Sequence, residues 1–374
     1  MKLLSRKIII LVLLGLFTAP VAFGQTEALK VVVNNLAYYR QKGELKYLTN
    51  AKKSVDSLIK TRKDSSNLDK NIYKAIVYSS IAYIDSTNKL GNPPDFFAKT
   101  VNLIDRLSKN KRIYRYQTEL DFSKRCLANV YIRNGFDDVR HLNFNNAVTN
   151  FGKAQQYAPK FGQINTYIAY ANARAGRLHE AVKYYNTLLT ADSVKAEYVL
   201  AATNIYKTMG DTSEALEVLK KGRRLLPADK GLLLEEANIY NNQNNYKDLE
   251  PLLKDLIDAY STDANVFYIA ANCYDHLEKY DRAESLYLRA VELNSTSYEP
   301  VFNLGLLYMK QSARNKNKEE SDKNLSRAGL WLQKAYEMSP KNVKLLKLLQ
   351  LVYTKTGNDD QLNKINYNLQ QFTN

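Results

Sequence analysis

The chain has 374 residues, with 54 Lys and Arg against 38 Asp and Glu, for a formal net charge of +16. A hydrophobic content of 45% beside 25% charged residues is enough to bury a core, which excludes an intrinsically disordered chain. With only 14 Gly and 8 Pro a many-turned β protein is excluded too, while 28 Tyr against one Trp ask for a positional explanation.

In chain order, Lys2, Arg6 and Lys7 precede the apolar run IIILVLLGLFTA at 8–19, and Ala22 and Gly24 then stand at small-residue positions. This is the order of a secretory signal peptide over 1–24, cut after Gly24. The run is short for a membrane span, and no Cys near the cut could take a lipid. The mature chain is therefore expected to be exported, soluble, periplasmic or extracellular, with no membrane span after cleavage. Removing three cations and no acid takes +16 to +13. That charge favours acidic partners such as anionic glycans, lipid phosphates or acidic proteins, while export disfavours nucleic acid. The basic runs at 60–63, 109–115, 220–224 and 310–323 are scattered and read as solvated helix ends, where cations suit the helix dipole.

Residues 25–120 are helical in pattern and read as degenerate helix pairs whose phasing the pattern does not fix. From 121 onward, LANVYIRNG (127–135) pairs with FNNAVTNFGKAQQYAP (144–159) across an insertion near 135–141. A repeat then becomes explicit. Steps of 34 from Gly305 reach Ala271, Ala237, Thr203 and Ala169, and steps from Tyr308 reach Tyr274, Tyr240, Tyr206 and Asn172. Two further columns keep the phase: Ala283, Leu249, Ala215, Ala181, and Tyr287, Leu253, Leu219, Tyr185. An internal period of this kind governs any fold argument.

Within a unit, apolar or small residues recur at three- and four-residue steps, as at Phe267, Ala270, Ala271 and Tyr274, which is one face of a helix. A break such as HLEKY or TMGDT separates this helix from a second one. Small residues at Ala271 and Ala283 let the two helices approach, and large ones at Tyr274 and Tyr287 fill the space between neighbouring pairs. Much of the tyrosine excess is thereby explained as packing with a polar end. Pro227 and Pro340 stop second helices because proline has no backbone donor.

The period of 34, the segments NLGLLYMK (303–310) and EKYDRAESLYLRAVELN (278–294), and the terminal prolines resemble the tetratricopeptide repeat family. The resemblance implies an all-α fold, an α-solenoid of antiparallel helix pairs wound as a superhelix. The array would occupy 121–374, with a second insertion near 311–324 and a polar capping pair at 343–374. Two departures stand out: Glu236 falls in a normally apolar slot, and Asn172 replaces the column tyrosine. The insertion at 311–324 contains neither Gly nor Pro, so both helices of that pair are expected to run on rather than to enclose a loop.

His141, His179 and His276 share no metal-ligand spacing, and no nucleophile elbow, zincin or phosphate-loop motif occurs. No catalytic, metal or cofactor-binding residue is assigned, and an enzyme is not expected. Cys126 and Cys273 lie several units apart, too far for a disulfide in a fold whose repeats touch only their neighbours, so both should be buried free thiols.

One surface invites a partner. Asn204, Asn238 and Asn272 recur at 34, and four residues before each come Leu200, Leu234 and Tyr268, with Phe302 continuing that row. A four-residue step places both rows on one helix face. In the family resembled, that face lines the concave groove. Side-chain amides beside an apolar strip suit an extended peptide, which needs hydrogen bonds for its backbone and pockets for its side chains. The expectation is an exported scaffold for protein–protein interaction in the cell envelope. The alternative is a binder of an anionic envelope glycan or other polyanion through the basic surface.

Overall fold

The computed structural model describes residues 27–190 and 194–373. The signal segment 1–24 lies outside them. Among the described residues every regular element is helical, and no helix is long and apolar enough to cross a membrane. The chain forms two compact units, Met1–Ala191 and Asp192–Asn374.

The first unit contains α1 (Glu27–Lys42), α2 (Leu45–Ser57), the single turn α3 (Arg62–Ser66), α4 (Leu68–Ile84) and α5 (Phe96–Ser108). After a 3₁₀ turn at Ile113–Tyr116 come α6 (Gln117–Arg140), α7 (Phe144–Tyr157), α8 (Gln163–Arg174) and α9 (Leu178–Leu188). Consecutive helices pack as antiparallel pairs. Val32, Leu48, Val55, Val77 and Ile81 form one core between α1, α2 and α4. Ile72, Ile104, Leu120 and Leu127 form the next, and Ala147, Phe151, Ala154, Ile164 and Ile168 the third. The residues near 135–141 are helical and simply lengthen α6. Gly135 is required there, since a Cβ on it would lie 2.5 Å from the Phe151 ring.

The second unit continues with α10 (Ala196–Thr208), α11 (Thr212–Leu225), α12 (Lys230–Asn242), α13 (Tyr246–Leu249) and α14 (Leu253–Ala259). Then follow α15 (Ala264–His276), α16 (Tyr280–Leu293), α17 (Tyr298–Arg314), α18 (Lys318–Met338), α19 (Val343–Thr356) and α20 (Asp359–Thr373). First helices begin at 196, 230, 264 and 298, and second helices at 178, 212, 246 and 280, each step being 34; the first helix at Gln163 sits one residue closer. Pro251 interrupts one second helix, so α13 and α14 are joined through a 3₁₀ turn at Glu250–Leu252. The extra residues near 311–324 lengthen α17 and α18 to 17 and 21 residues, against 13 and 14 for α15 and α16. Second helices end just before the predicted prolines, α11 at Leu225 and α18 at Met338.

A further column becomes visible only in the backbone. Leu142, Gly176, Gly210, Asn244 and Glu278, again 34 apart, all have positive φ, between 54° and 81°. Each ends a first helix, and the following N–H closes back on a carbonyl five residues earlier. Arg177 N–H bonds Asn172 O at 2.9 Å, Asp211 bonds Tyr206 O at 2.9 Å and Lys279 bonds Tyr274 O at 2.8 Å. This left-handed cap consumes helix-end carbonyls that would otherwise be orphaned. Glycine fits it without cost, and leucine does not. Leu142 is 69% exposed, so its side chain gains little in return. Leu142→Gly is expected to stabilise the protein by about 1 kcal/mol, read as a higher denaturant midpoint at unchanged slope. A lower midpoint would show that the side chain contributes packing.

The small column is buried throughout: Ala169, Thr203, Ala237 and Ala271 are all at 0%. At Gly305 a Cβ would meet Leu332 at 2.6 Å. The tyrosine columns are less uniform than their sequence suggests. Tyr287 is completely buried and Tyr240 and Tyr308 nearly so, but Tyr206 and Tyr274 are half-buried. Tyr274 lies at the edge of its pair, with the Arg282 guanidinium 5.4 Å from its ring centre. Asn172 satisfies its buried amide on its own helix, donating to Ile168 O at 3.0 Å. Cys126 and Cys273 are both free and buried. Burial pushes each thiol up to about 12, which keeps both protonated at neutral pH.

Candidate functional site

Helices α10, α12, α15 and α17 carry both predicted rows within the second unit. Their caps fix the register: Asp229 accepts from Leu232 N–H at 3.0 Å and Asp263 from Asn265 N–H at 2.9 Å, each opening a first helix. The fifth residue of each helix is then Leu200, Leu234, Tyr268 or Phe302, and all four are half-buried. Leu234 rests on the core of α12 to α15, and Tyr268 and Phe302 rest on the core that runs from α15 to α20. The Phe302 ring stacks on Tyr298 with centroids 5.5 Å apart. Leu234, Tyr268 and Phe302 are thus held by packing on one side while retaining exposed surface on the other.

The three asparagines do not behave alike. Asn204 is exposed and Asn238 half-buried, and neither amide has a hydrogen-bond partner among the described residues. Asn272 is half-buried and donates Nδ2 to Asn241 Oδ1 on the preceding first helix at 3.3 Å. Its amide therefore ties α15 to α12. The two rows share one set of helices, but only two of the three amides are free to bond something else.

Polar bridges that sequence reasoning missed accompany this face. Asn303 on α17 donates to the Tyr268 hydroxyl at 3.4 Å, and Asn342 donates to the Tyr298 hydroxyl at 2.9 Å. Lys207 on α10 pairs with Glu235 on α12 at 2.6 Å. Lys310 on α17 places Nζ 2.9 Å from both oxygens of Asp275 on α15, a carboxylate only 5% exposed. Arg314 reaches Glu278 at 2.8 Å. Each bridge joins one helix pair to the next within the second unit. The signal for the ion pairs was the charge pattern of the first helices, but the bridged partners lie 28 to 44 residues apart and follow no fixed spacing. Burial raises the phenols of Tyr268 and Tyr298 above their ordinary range, so both hydroxyls remain protonated at physiological pH.

A separate cleft of about 520 Å³ lies between α14 and α16, lined by Lys254, Ile257, Tyr274, Arg282 and Leu286 among others. Among the described residues no group of three His, Cys, Asp or Glu side chains could hold a metal ion. The arrangement on the first helices offers shape, apolar surface and amide hydrogen bonds, which is chemistry of recognition.

The tetratricopeptide repeat family matches the chain at residues 137–196 and again at 264–297. No curated protein matches it. Among solved structures, the chain is similar to one described as the crystal structure of MamA protein, at 20% identity and a TM-score of 0.42, covering 46% of this chain and 89% of that one. A second, described as YrrB, a TPR protein with an unusual peptide-binding site, is 19% identical with a TM-score of 0.44, covering 53% and 96%. A third is MamA 41-end from Desulfovibrio magneticus RS-1, 18% identical with a TM-score of 0.40, covering 48% and 96%. Two family matches that fall on helix pairs in 34-residue register, each pair turned by the same left-handed cap, give one answer: the chain carries tetratricopeptide repeats, at 137–196 and 264–297, and these are repeats of a protein-interaction scaffold.

Proposed function

We propose that the mature protein is an exported scaffold of the cell envelope, and that the first-helix face of α10, α12, α15 and α17 binds an extended peptide or partner segment. The observation that carries this reading is the half-buried row Leu200, Leu234, Tyr268 and Phe302 beside the unpartnered amides of Asn204 and Asn238. Apolar side chains anchored on a core but open on one side act as pockets for alternate residues of a strand. Amides without intramolecular partners can meet its main chain at no internal loss. No lysine occupies the Leu200 or Leu234 position, so the peptide would be held along its length and not by a terminal carboxylate. Export rests on the signal-peptide pattern of residues 1–24.

Alanine substitutions test the rows. Asn204→Ala with Asn238→Ala should weaken binding of a peptide partner captured by the intact mature chain, with the melting temperature almost unchanged. Asn272→Ala alone should lower stability by about 1 kcal/mol, the loss of one helix-to-helix hydrogen bond, and affect binding less. If the pair Asn204/Asn238 leaves binding intact while Leu200→Ala or Phe302→Ala abolishes it, the apolar row alone makes the site. If none of these changes affects binding, the first-helix face is not the site.

A further inference from the structure

The basic runs 60–63 and 109–115 are far apart in sequence, but the first unit brings them to one end. Arg106, in the last turn of α5, donates Nη2 to Asn71 Oδ1 at 3.1 Å. Asn71 is only 5% exposed and donates Nδ2 to the carbonyls of Ser65 at 3.0 Å and Asn67 at 2.7 Å. That network ties the end of α5, and the 109–115 segment that follows it, to α3. From the other side the Tyr116 hydroxyl donates to Asp69 at 2.6 Å. Leu68, Ile113 and Tyr116 also pack on the same core, which includes Ile72 and Leu107.

Cations outnumber carboxylates at this end. Lys60, Arg62 and Lys63 are exposed on one run, and Lys109, Lys111, Arg112 and Arg115 on the other. Among the described residues none of the seven forms an ion pair. Of the neighbouring carboxylates, Asp64 is paired with Lys70 at 2.6 Å and caps Thr61, while Asp69 accepts from the neutral Tyr116 hydroxyl and keeps its charge near Arg115. Glu119 adds one more carboxylate, half-buried in the first turn of α6. In the middle of the cations Tyr114 stands 67% exposed.

From this convergence we infer that the end of the first unit formed by residues 60–63 and 109–115 docks on an anionic lipid surface, its cations against headgroup phosphates and the Tyr114 ring at headgroup level. A layer of phosphates can meet both runs at once, whereas a small anion reaches two or three side chains. An exposed tyrosine among cations suits the membrane–water interface, which takes its ring and leaves its hydroxyl wet. This site is independent of the first-helix face of the second unit. A loss of peptide binding there leaves it untouched.

The test uses the chain from Gln25 onward, which holds every described helix, and vesicles of phosphatidylglycerol mixed with phosphatidylcholine, or of phosphatidylcholine alone. Co-sedimentation should show binding only to the anionic vesicles, falling steeply with added salt. Each cation lost from a docking patch lowers partition roughly fivefold. The triple variant Lys109→Gln/Lys111→Gln/Arg112→Gln should therefore lose roughly a hundredfold. Lys60→Gln/Arg62→Gln/Lys63→Gln should lose a similar factor. Lys316→Gln/Lys318→Gln/Lys323→Gln removes the same charge from the second unit and should change little. Tyr114→Trp should show a blue-shifted emission on vesicle binding, over the constant background of Trp331. Equal losses in all three triple variants would reduce the effect to net charge and overturn the inference. So would an unshifted Tyr114→Trp emission, no binding to anionic vesicles, or tight binding of soluble dextran sulfate with no vesicle binding.

Discussion

Replacing Tyr287 with alanine is expected to cost about 3–5 kcal/mol and to lower the thermal midpoint more than any other single truncation on this chain. Tyr287 is the largest completely buried side chain among the described residues, set in the core shared by α15 to α20 with its ring 6.2 Å from that of Tyr268. Repeats of this kind are stabilised by their interfaces, so a cavity here should loosen both neighbours. Hydrogen exchange should rise across α15 to α18 and stay unchanged in the first unit. The hydroxyl behaves differently from the ring: it is buried, has no hydrogen-bond partner among the described residues, and its pKa is raised by burial. Tyr287→Phe removes an unsatisfied polar group and should be neutral or stabilise by up to about 1 kcal/mol. A Tyr287→Phe variant that loses stability would reveal an ordered water or a closer Asn303 contact in solution.

Arg223→Met is expected to cost about 3 kcal/mol, because it leaves the carboxylate of Glu236 buried without a counter-charge. Glu236 is 4% exposed, and Arg223 Nη1 meets its Oε2 at 2.7 Å. The figure sits at the low end for a broken buried pair, since the Arg223 side chain retains 29% of its surface. The double variant Arg223→Met/Glu236→Leu should recover most of the loss, as an apolar pair restores the usual character of that slot. Urea denaturation of the two singles and the double closes the cycle. If Arg223→Met alone is silent, water reaches Glu236 and the slot is not dry. This pair also explains why an acid can occupy a position that the family fills with an apolar residue. The partner lies on the preceding second helix, 13 residues earlier, outside the repeat columns.

The peptide-binding and lipid-docking readings make different demands on the chain. One uses neutral amides and apolar side chains in the second unit, and the other uses unpaired cations in the first. Salt should distinguish them, since screening weakens the exposed charges and leaves apolar contacts in place.

The sequence by itself determined the all-α class, the 34-residue register, the helix pairing in the second unit and the extension of α17 and α18. These follow from local chemistry that repeats: small residues where helices cross, proline where they stop, and a polar insertion lacking Gly and Pro that can only continue a helix. The tertiary structure decided what depends on partners at irregular separations. It showed Tyr274 half-exposed and Tyr287 enclosed although both stand in repeat columns of large side chains, because burial depends on where the neighbouring pair lies. It turned Asn272 from a groove amide into a bridge to Asn241, and it joined two basic runs that read as separate solvated ends. The left-handed caps at Leu142, Asn244 and Glu278 were hidden for a related reason. Only glycine announces a positive φ in sequence, whereas here the geometry of the helix turn imposes it on whatever residue stands at that step.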